Sequence, residues 1–180
     1  MSKPAYFHEI YQEADPLRYP SRWYEERKRA LTLACLTRRR YANAWELGCS
    51  NGVLTAELAT RCDTLLGTDI SDDALAQAAL STRDRLQVVL QRATHPQDWP
   101  DGVFDLIVVS EVGYYLDAAA LALLGEKLRG SLADGGLLLA CHWNHPFDGA
   151  RSSAHEVHQA VRADLPEVLS YRDDDFLLEG

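Results

Sequence analysis

The sequence predicts a doubly wound α/β fold built on a mainly parallel sheet. Three observations carry this. Five short apolar runs alternate with helical patterns, the order that builds a parallel sheet from βαβ units. The run Phe104-Asp105-Leu106-Ile107-Val108-Val109-Ser110 is apolar enough to be a strand buried on both faces. A Gly-rich turn, Gly48-Cys49-Ser50-Asn51-Gly52, joins the first run to its helix. In open parallel sheets ligands bind at the carboxyl edge, where such turns lie.

In chain order, Pro4, Pro16 and Pro20 punctuate a polar and aromatic opening, and Tyr6, Phe7, Ile10 and Tyr11 fall at the spacing of a short docked helix. Residues 23–36 read as an amphipathic helix with Tyr24, Leu31 and Cys35 on one face and charges opposite. Residues 1–36 are expected either to fold over the site as a lid or to pack on the sheet, and residues 41–180 to form the sheet core of the same single domain. Ala44-Trp45-Glu46-Leu47 is the first strand, and the helix after the turn starts at Val53. The second strand ends at Asp69, and Ser71 caps the next helix with Asp72 and Asp73 in its first turn. Leu86 to Leu90 reads as the third strand and Phe104 to Ser110 as the fourth. Asp117 caps a helix carrying Leu121, Leu124, Leu128 and Leu132, with Gly135-Gly136 closing it ahead of a fifth strand, Leu137 to Cys141. Ser153-Ala154-His155-Glu156 has the pattern of a capping box. Val168 to Tyr171 and Phe176 to Leu178 form a closing hairpin.

Composition narrows the function. A net charge of −9, with Arg38-Arg39-Arg40 as the only basic cluster, argues against a nucleic-acid partner. No apolar run reaches the length of a membrane span. Cys35, Cys49, Cys62 and Cys141 show no CxxC spacing and no leader pattern precedes them, so reduced thiols in the cytoplasm are expected. The expected partner is a small molecule, and the expected state a monomer or weak homo-oligomer.

The turn identifies a class of cofactor. A dinucleotide fingerprint starting at Gly48 would need glycine where Ser50 and Val53 stand. The spacing that holds is acid-x-Gly-x-small-x-Gly from Glu46 to Gly52. Glu46 would oppose a pyrophosphate, and no Lys or Arg lies in the turn to compensate. S-adenosylmethionine has no phosphate and carries a sulfonium and an ammonium, so acids here are compatible with it. Asp69 is placed to accept hydrogen bonds from a ribose diol, as an acid does in dinucleotide sites too.

Glu46 to Gly52, Asp69, the block Phe104 to Glu111 and Gly135-Gly136 before a strand together resemble the class I S-adenosylmethionine-dependent methyltransferases. Arg22-Trp23-Tyr24-Glu25, Ser110 to Leu116, His142-Trp143-Asn144-His145-Pro146 and Asp175 to Glu179 are similar, more closely, to the nodulation protein S (NodS)-like methyltransferases. The resemblance implies a Rossmann-like seven-stranded sheet of order 3-2-1-4-5-7-6 with strand 7 antiparallel. It implies a cofactor site at Glu46, Gly48, Cys49, Ser50, Asn51, Gly52, Asp69, Ile70, Thr94, His95, Ser110 and Glu111. For NodS itself it implies N-methylation of a deacetylated chito-oligosaccharide. The chain departs from the family pattern in two places. Ser50 replaces the middle glycine of the turn, which is tolerable at negative φ. Thr94, followed by His95, stands where the family offers an Asp to the adenine amine.

Methyl transfer needs a nucleophile held in line, and an amine must be neutral to attack. Glu111, just past the fourth strand, is a candidate base or a partner of the cofactor. His142, read as ending the fifth strand, is a candidate base or hydrogen-bond donor and is expected to share a crevice with Glu111. Tyr115, with Tyr114, is expected to wall the acceptor. The pairs His142/His145 and His155/His158 lack interleaved carboxylates, and no metal site is expected. The expected function is S-adenosylmethionine-dependent methylation of a small molecule, foremost an amine, with an amino sugar as one candidate. O-methylation and cofactor binding without catalysis are the alternatives.

Overall fold

Near the centre of the sheet lies β1 (Tyr41–Leu47), paired in parallel with β2 (Cys62–Asp69) on one side and β4 (Phe104–Ser110) on the other. The computed structural model describes residues 23–180. The short helix expected on Tyr6, Phe7, Ile10 and Tyr11 lies outside them. Outward from the centre, β3 (Val88–Arg92) pairs with β2 and β5 (Leu132–Trp143) with β4. The strand β7 (Phe176–Glu179) runs antiparallel between β5 and β6 (Ser170–Arg172). The order is 3-2-1-4-5-7-6, with β7 the reversed strand, as the resemblance implied.

Helices cover both faces, and side-chain alternation on the strands explains why. Along β4, Leu106 and Val108 enter one buried layer with Tyr41, Leu58 and Leu139, while Ile107 and Val109 enter the other with Trp45, Leu124 and Val157. The first layer is roofed by α1 (Trp23–Ala34) and α2 (Val53–Leu58), the second by α4 (Ala118–Ser131) and α5 (Ala154–Arg162). The remaining helix, α3 (Asp72–Ser81), follows β2. The expected caps are present: Ser71 accepts from the Ala74 N–H, Asp117 from the Ala120 N–H, and Ser153 and Glu156 form the reciprocal box.

Several boundaries differ from the sequence expectation, three of them with a physical reason in view. β1 starts at Tyr41, because Tyr41 to Asn43 find partners on β2 at Cys62 and Thr64. β3 lies two residues later than expected, and Leu86 is left almost wholly exposed ahead of it. Gly135-Gly136 does not close a helix. α4 ends at Ser131, the strand begins at Leu132, and Gly135 takes φ +67° inside an irregularity of the β4–β5 register. The pair acts as a bulge, a position where the backbone needs a residue free of Cβ strain.

Candidate functional site

At the carboxyl edge of β1, β2 and β4 the chain leaves a cavity of about 990 Å³. That is at the upper end for small-molecule sites, enough for a cofactor and a second reactant together. Glu46, Gly48, Cys49, Ser50 and Asn51 line it from β1 and the turn, and Asp69 and Ile70 from the end of β2. Thr94 and His95 contribute from the loop after β3, and Ser110, Glu111 and Tyr115 from the end of β4.

Gly52 and His142 are not in the wall. Gly52, at φ +75°, sits against α3, and a Cβ there would fall 2.7 Å from the Ala78 Cα. It closes the turn by packing. His142 lies within β5, which runs on to Trp143, and is fully buried. The shared crevice with Glu111 expected from strand order does not form: alternation turns His142 toward α5, where its ring meets His158.

On the β1–β2 side, Asp69 is held by two backbone donors: the Ser50 N–H to Oδ2 and the Ser71 N–H to Oδ1, both 2.9 Å. Desolvation raises its pKa, and these amides counter it. Two backbone bonds on an ionised carboxylate leave lone pairs for further donors. Ser50 reaches this geometry at φ +50°, so the condition of negative φ for its Cβ is not met, and the turn carries a left-handed non-glycine residue at the cavity. Gly48, at φ +78°, has Val112 so close that a Cβ would lie 2.0 Å from its Cγ2.

Glu46 is buried, and its Oε2 has no hydrogen-bond partner among the described residues. Desolvation pushes its pKa up to about 8. The neighbouring Thr55 hydroxyl, itself outside hydrogen-bond geometry, moderates the shift, and the Asp69 charge adds to it. An unpartnered buried carboxyl on a cavity wall is costly unless a ligand satisfies it.

His95 has both ring nitrogens engaged. The Asp98 carbonyl, 2.8 Å from Nδ1, can only accept, so Nδ1 carries the proton. Nε2 then accepts from the Thr68 hydroxyl at 2.9 Å, and Thr68 in turn accepts from the Trp45 indole N–H. Burial lowers the His95 pKa to about 4. The ring is therefore a neutral wall whose nitrogens are already used, and the Thr94 N–H is bonded to Asp98.

The β4–β5 side has a different character. Tyr24, Tyr114, Tyr115, Trp143 and Phe147 line it, several in edge-to-face contact, with Tyr24 and Trp143 centroids 4.9 Å apart. Glu111 stands among them at φ +58°. Its Oε1 accepts from Lys28 Nζ at 2.9 Å and from the Tyr24 hydroxyl at 3.0 Å. Its Oε2 accepts from the Tyr114 hydroxyl and from the Trp143 N–H at 3.3 Å.

Lys28 also pairs with Glu25 at 3.0 Å. Burial opposes its charge, but Glu111 and Glu25 outweigh that and leave its pKa raised. Glu25 itself shifts up, because burial outweighs the help from Lys28. Burial and the Glu111 charge likewise raise the Tyr24 hydroxyl well above its ordinary value.

Sequence reasoning missed this contribution of α1. Glu25, Lys28, Arg29 and Thr32 are its buried residues, whereas Trp23 is largely exposed. The expected arrangement, charges outward, is reversed over the first turns. These charged groups meet Glu111 and Glu57 instead of water. Farther along, Leu31, Leu33 and Cys35 do pack on the sheet layer. The one signal available was the Glu25–Lys28 pair at i, i+3, which does not say which way the pair faces.

Among the described residues no group of His, Cys, Asp and Glu is arranged to hold a metal ion, and no helix is long and apolar enough to cross a membrane.

The family model for nodulation protein S (NodS) matches residues 7–155. Nodulation protein S of Rhizobium tropici is 32% identical over 127 residues, 69% of this chain and 53% of the relative. The protein of the same name from Sinorhizobium fredii is 31% identical over 72% of this chain and 62% of its own. The chain thus spans between about half and two thirds of the curated relatives it matches. Among solved structures, a candidate methyltransferase from Pseudomonas syringae is 44% identical, with a TM-score of 0.76 over 88% of this chain and 97% of that one. The N-methyltransferase NodS from Bradyrhizobium japonicum WM9, in complex with S-adenosyl-L-homocysteine, superposes with a TM-score of 0.90 at 25% identity, covering 98% and 95%.

Proposed function

This chain belongs to the nodulation protein S family, and from that premise we propose that it is an S-adenosylmethionine-dependent methyltransferase acting on a small-molecule amine. The observation that carries this reading is the division of one cavity into two ends. One is built of backbone turn and unsatisfied acid, the other of aromatic rings around a fixed carboxylate.

The residues present fit the cofactor. The orphaned Oε2 of Glu46 would hold the ammonium of its amino-acid end, and the remaining lone pairs of Asp69 the ribose diol. Ile70, Thr94 and His95 would flank the base, and Gly48 to Asn51 leave room beside the sulfonium. When bound, S-adenosylmethionine supplies a methyl group activated by the positive sulfur.

The chain's own residues handle the acceptor. Tyr115, Tyr114, Trp143 and Phe147 exclude water and orient it. Four donors already occupy Glu111, about the full capacity of an ionised carboxylate. That favours a fixed anion over a base. Glu25, Glu111 and Lys28 together carry one net negative charge, which draws an ammonium toward the cofactor end, and the amine gives up a proton to bulk water before its neutral form attacks. His142 has no direct part in the transfer. The chain is read as one methyltransferase domain working as a cytoplasmic enzyme, with residues 23–36 covering or packing on its sheet; the rest of the expected 1–36 segment lies outside the described residues. Amino sugars are a subset of the acceptors this chamber suits, since rings stack on sugar faces while the anion attracts the amine.

Two measurements test the reading. A methyl-transfer screen with amines, amino sugars and phenols is expected to give turnover with amines first. Turnover confined to phenols would replace the N-methylation reading by O-methylation, and cofactor binding without any turnover would leave only a binding protein. In calorimetry, Asp69→Ala is expected to weaken S-adenosylhomocysteine by about 1.5–3 kcal/mol, the range for a hydrogen bond to a charged group. Unchanged affinity would remove the ribose assignment.

A further inference from the structure

Behind the aromatic chamber lies a buried chain of hydrogen bonds whose members do not line the cavity, although His142 packs edge-to-face on Tyr114 of its wall. The Gly113 N–H lies 3.2 Å from His142 Nε2, His142 Nδ1 lies 3.1 Å from His158 Nε2, and His158 Nδ1 lies 3.0 Å from Glu179 Oε2. Arg162 closes the far end with a 2.5 Å bond to the same Glu179 oxygen. His142 is wholly buried and His158 nearly so.

The position of every proton follows from the first donor. A backbone N–H can only donate, so His142 Nε2 must be bare and its proton must sit on Nδ1. That proton points at His158 Nε2, which must be bare in turn, and the His158 Nδ1 proton then faces the carboxylate. Both rings are neutral, and each tautomer is set by the bond before it. Desolvation, His158 and Lys28 hold the His142 pKa well below its ordinary value, and burial takes His158 to about 4. For Glu179 burial works the other way, but Arg162 and His158 outweigh it and keep its carboxyl low.

The chain ends on the turn that matters. Gly113 opens the tight turn Gly113–Tyr115, flanked by Glu111 and carrying two of the chamber's tyrosines. On its other side Gly113 is pressed onto α5, where a Cβ would lie 2.2 Å from a Val157 methyl. The residue next to Val157 is His158. One helix therefore seats the turn by contact and also orients the ring that bonds its N–H.

We propose that His142 and His158 are positioning residues: as a directed pair anchored on Glu179, they hold the Gly113–Tyr115 turn and through it place Tyr114, Tyr115 and Glu111 at the acceptor end. The proposal rests on reading that end as the acceptor chamber, but its test does not require turnover. Long-range proton–nitrogen correlation spectra of the unaltered chain at pH 7 are expected to show both histidines neutral and protonated on Nδ1. A proton on Nε2 of either ring overturns the proposal.

Amide hydrogen exchange supplies the second arm. His142→Leu removes the acceptor and is expected to speed Gly113 exchange about tenfold, the equivalent of one lost hydrogen bond. His142→Gln, which can present an oxygen to the same N–H, is expected to restore most of the protection. S-adenosylhomocysteine affinity should stay within about threefold in both variants, since neither touches the cofactor end. Unchanged Gly113 exchange in His142→Leu, or equal loss in the Gln variant, overturns the positioning role. Failure of cofactor binding in the unaltered chain would instead count against the methyltransferase reading alone.

Discussion

Lys28→Met is expected to destabilise the folded chain by about 3–5 kcal/mol, the cost of leaving buried ionic partners without their counter-charge. Lys28 is 3% exposed and lies 3.0 Å from Glu25 and 2.9 Å from Glu111, with its Nζ 4.8 Å from the Tyr24 ring centroid. Methionine fills a similar volume but leaves two carboxylates facing each other out of water. A shift in the denaturant midpoint at unchanged slope is the measurement. Adding Glu111→Gln should recover part of the loss by removing one of the two charges. A Lys28→Met chain within 1 kcal/mol of the parent would mean that α1 does not dock through this ion cluster.

Cofactor affinity is expected to rise with pH, by up to tenfold per unit between about pH 6 and 8, and to level off there. The cause is Glu46. Its pKa of about 8 makes it mostly protonated at neutral pH while the cavity holds no cation. An ammonium seated on Oε2 needs the carboxylate, so binding must first expel the proton. Below pH 8 that expulsion costs about 1.4 kcal/mol per unit. The sign for folding is consistent: a raised acid binds more protons folded than unfolded, so its stabilising share is full below about pH 4.5 and is lost as pH climbs through 8.

Calorimetry of S-adenosylhomocysteine in buffers of different ionisation enthalpy would report the released proton directly, close to one at pH 6.5. Glu46→Gln should abolish the release and flatten the profile. Release that persists in Glu46→Gln would place the titrating group elsewhere, with Asp69 next in line because desolvation raises it too.

The sequence by itself determined the sheet, because parallel strands buried on both faces read as apolar runs and their connecting helices start with recognisable caps. It placed one end of the cavity almost as well. That end is made of consecutive residues, Glu46 to Asn51, and of one acid at the end of the next strand, so chain order and spatial order coincide. The aromatic end required tertiary structure, since its groups come from far apart: Lys28 and Glu111 are 83 positions apart, and Tyr24 and Glu111 are 87. Hydrophobic periodicity turned the charges of α1 outward because it counts apolar faces and has no knowledge of a distant carboxylate that makes a buried lysine tolerable.

His142 fails for a related reason. Its place at the end of the fifth apolar run suggested the crevice, but β5 continues through Trp143, paired there with Phe176 of β7. In a strand one residue decides the face. That single continuation sends Trp143 into the cavity wall and His142 into the packed layer beneath α5, where it can hold a turn but cannot reach a substrate.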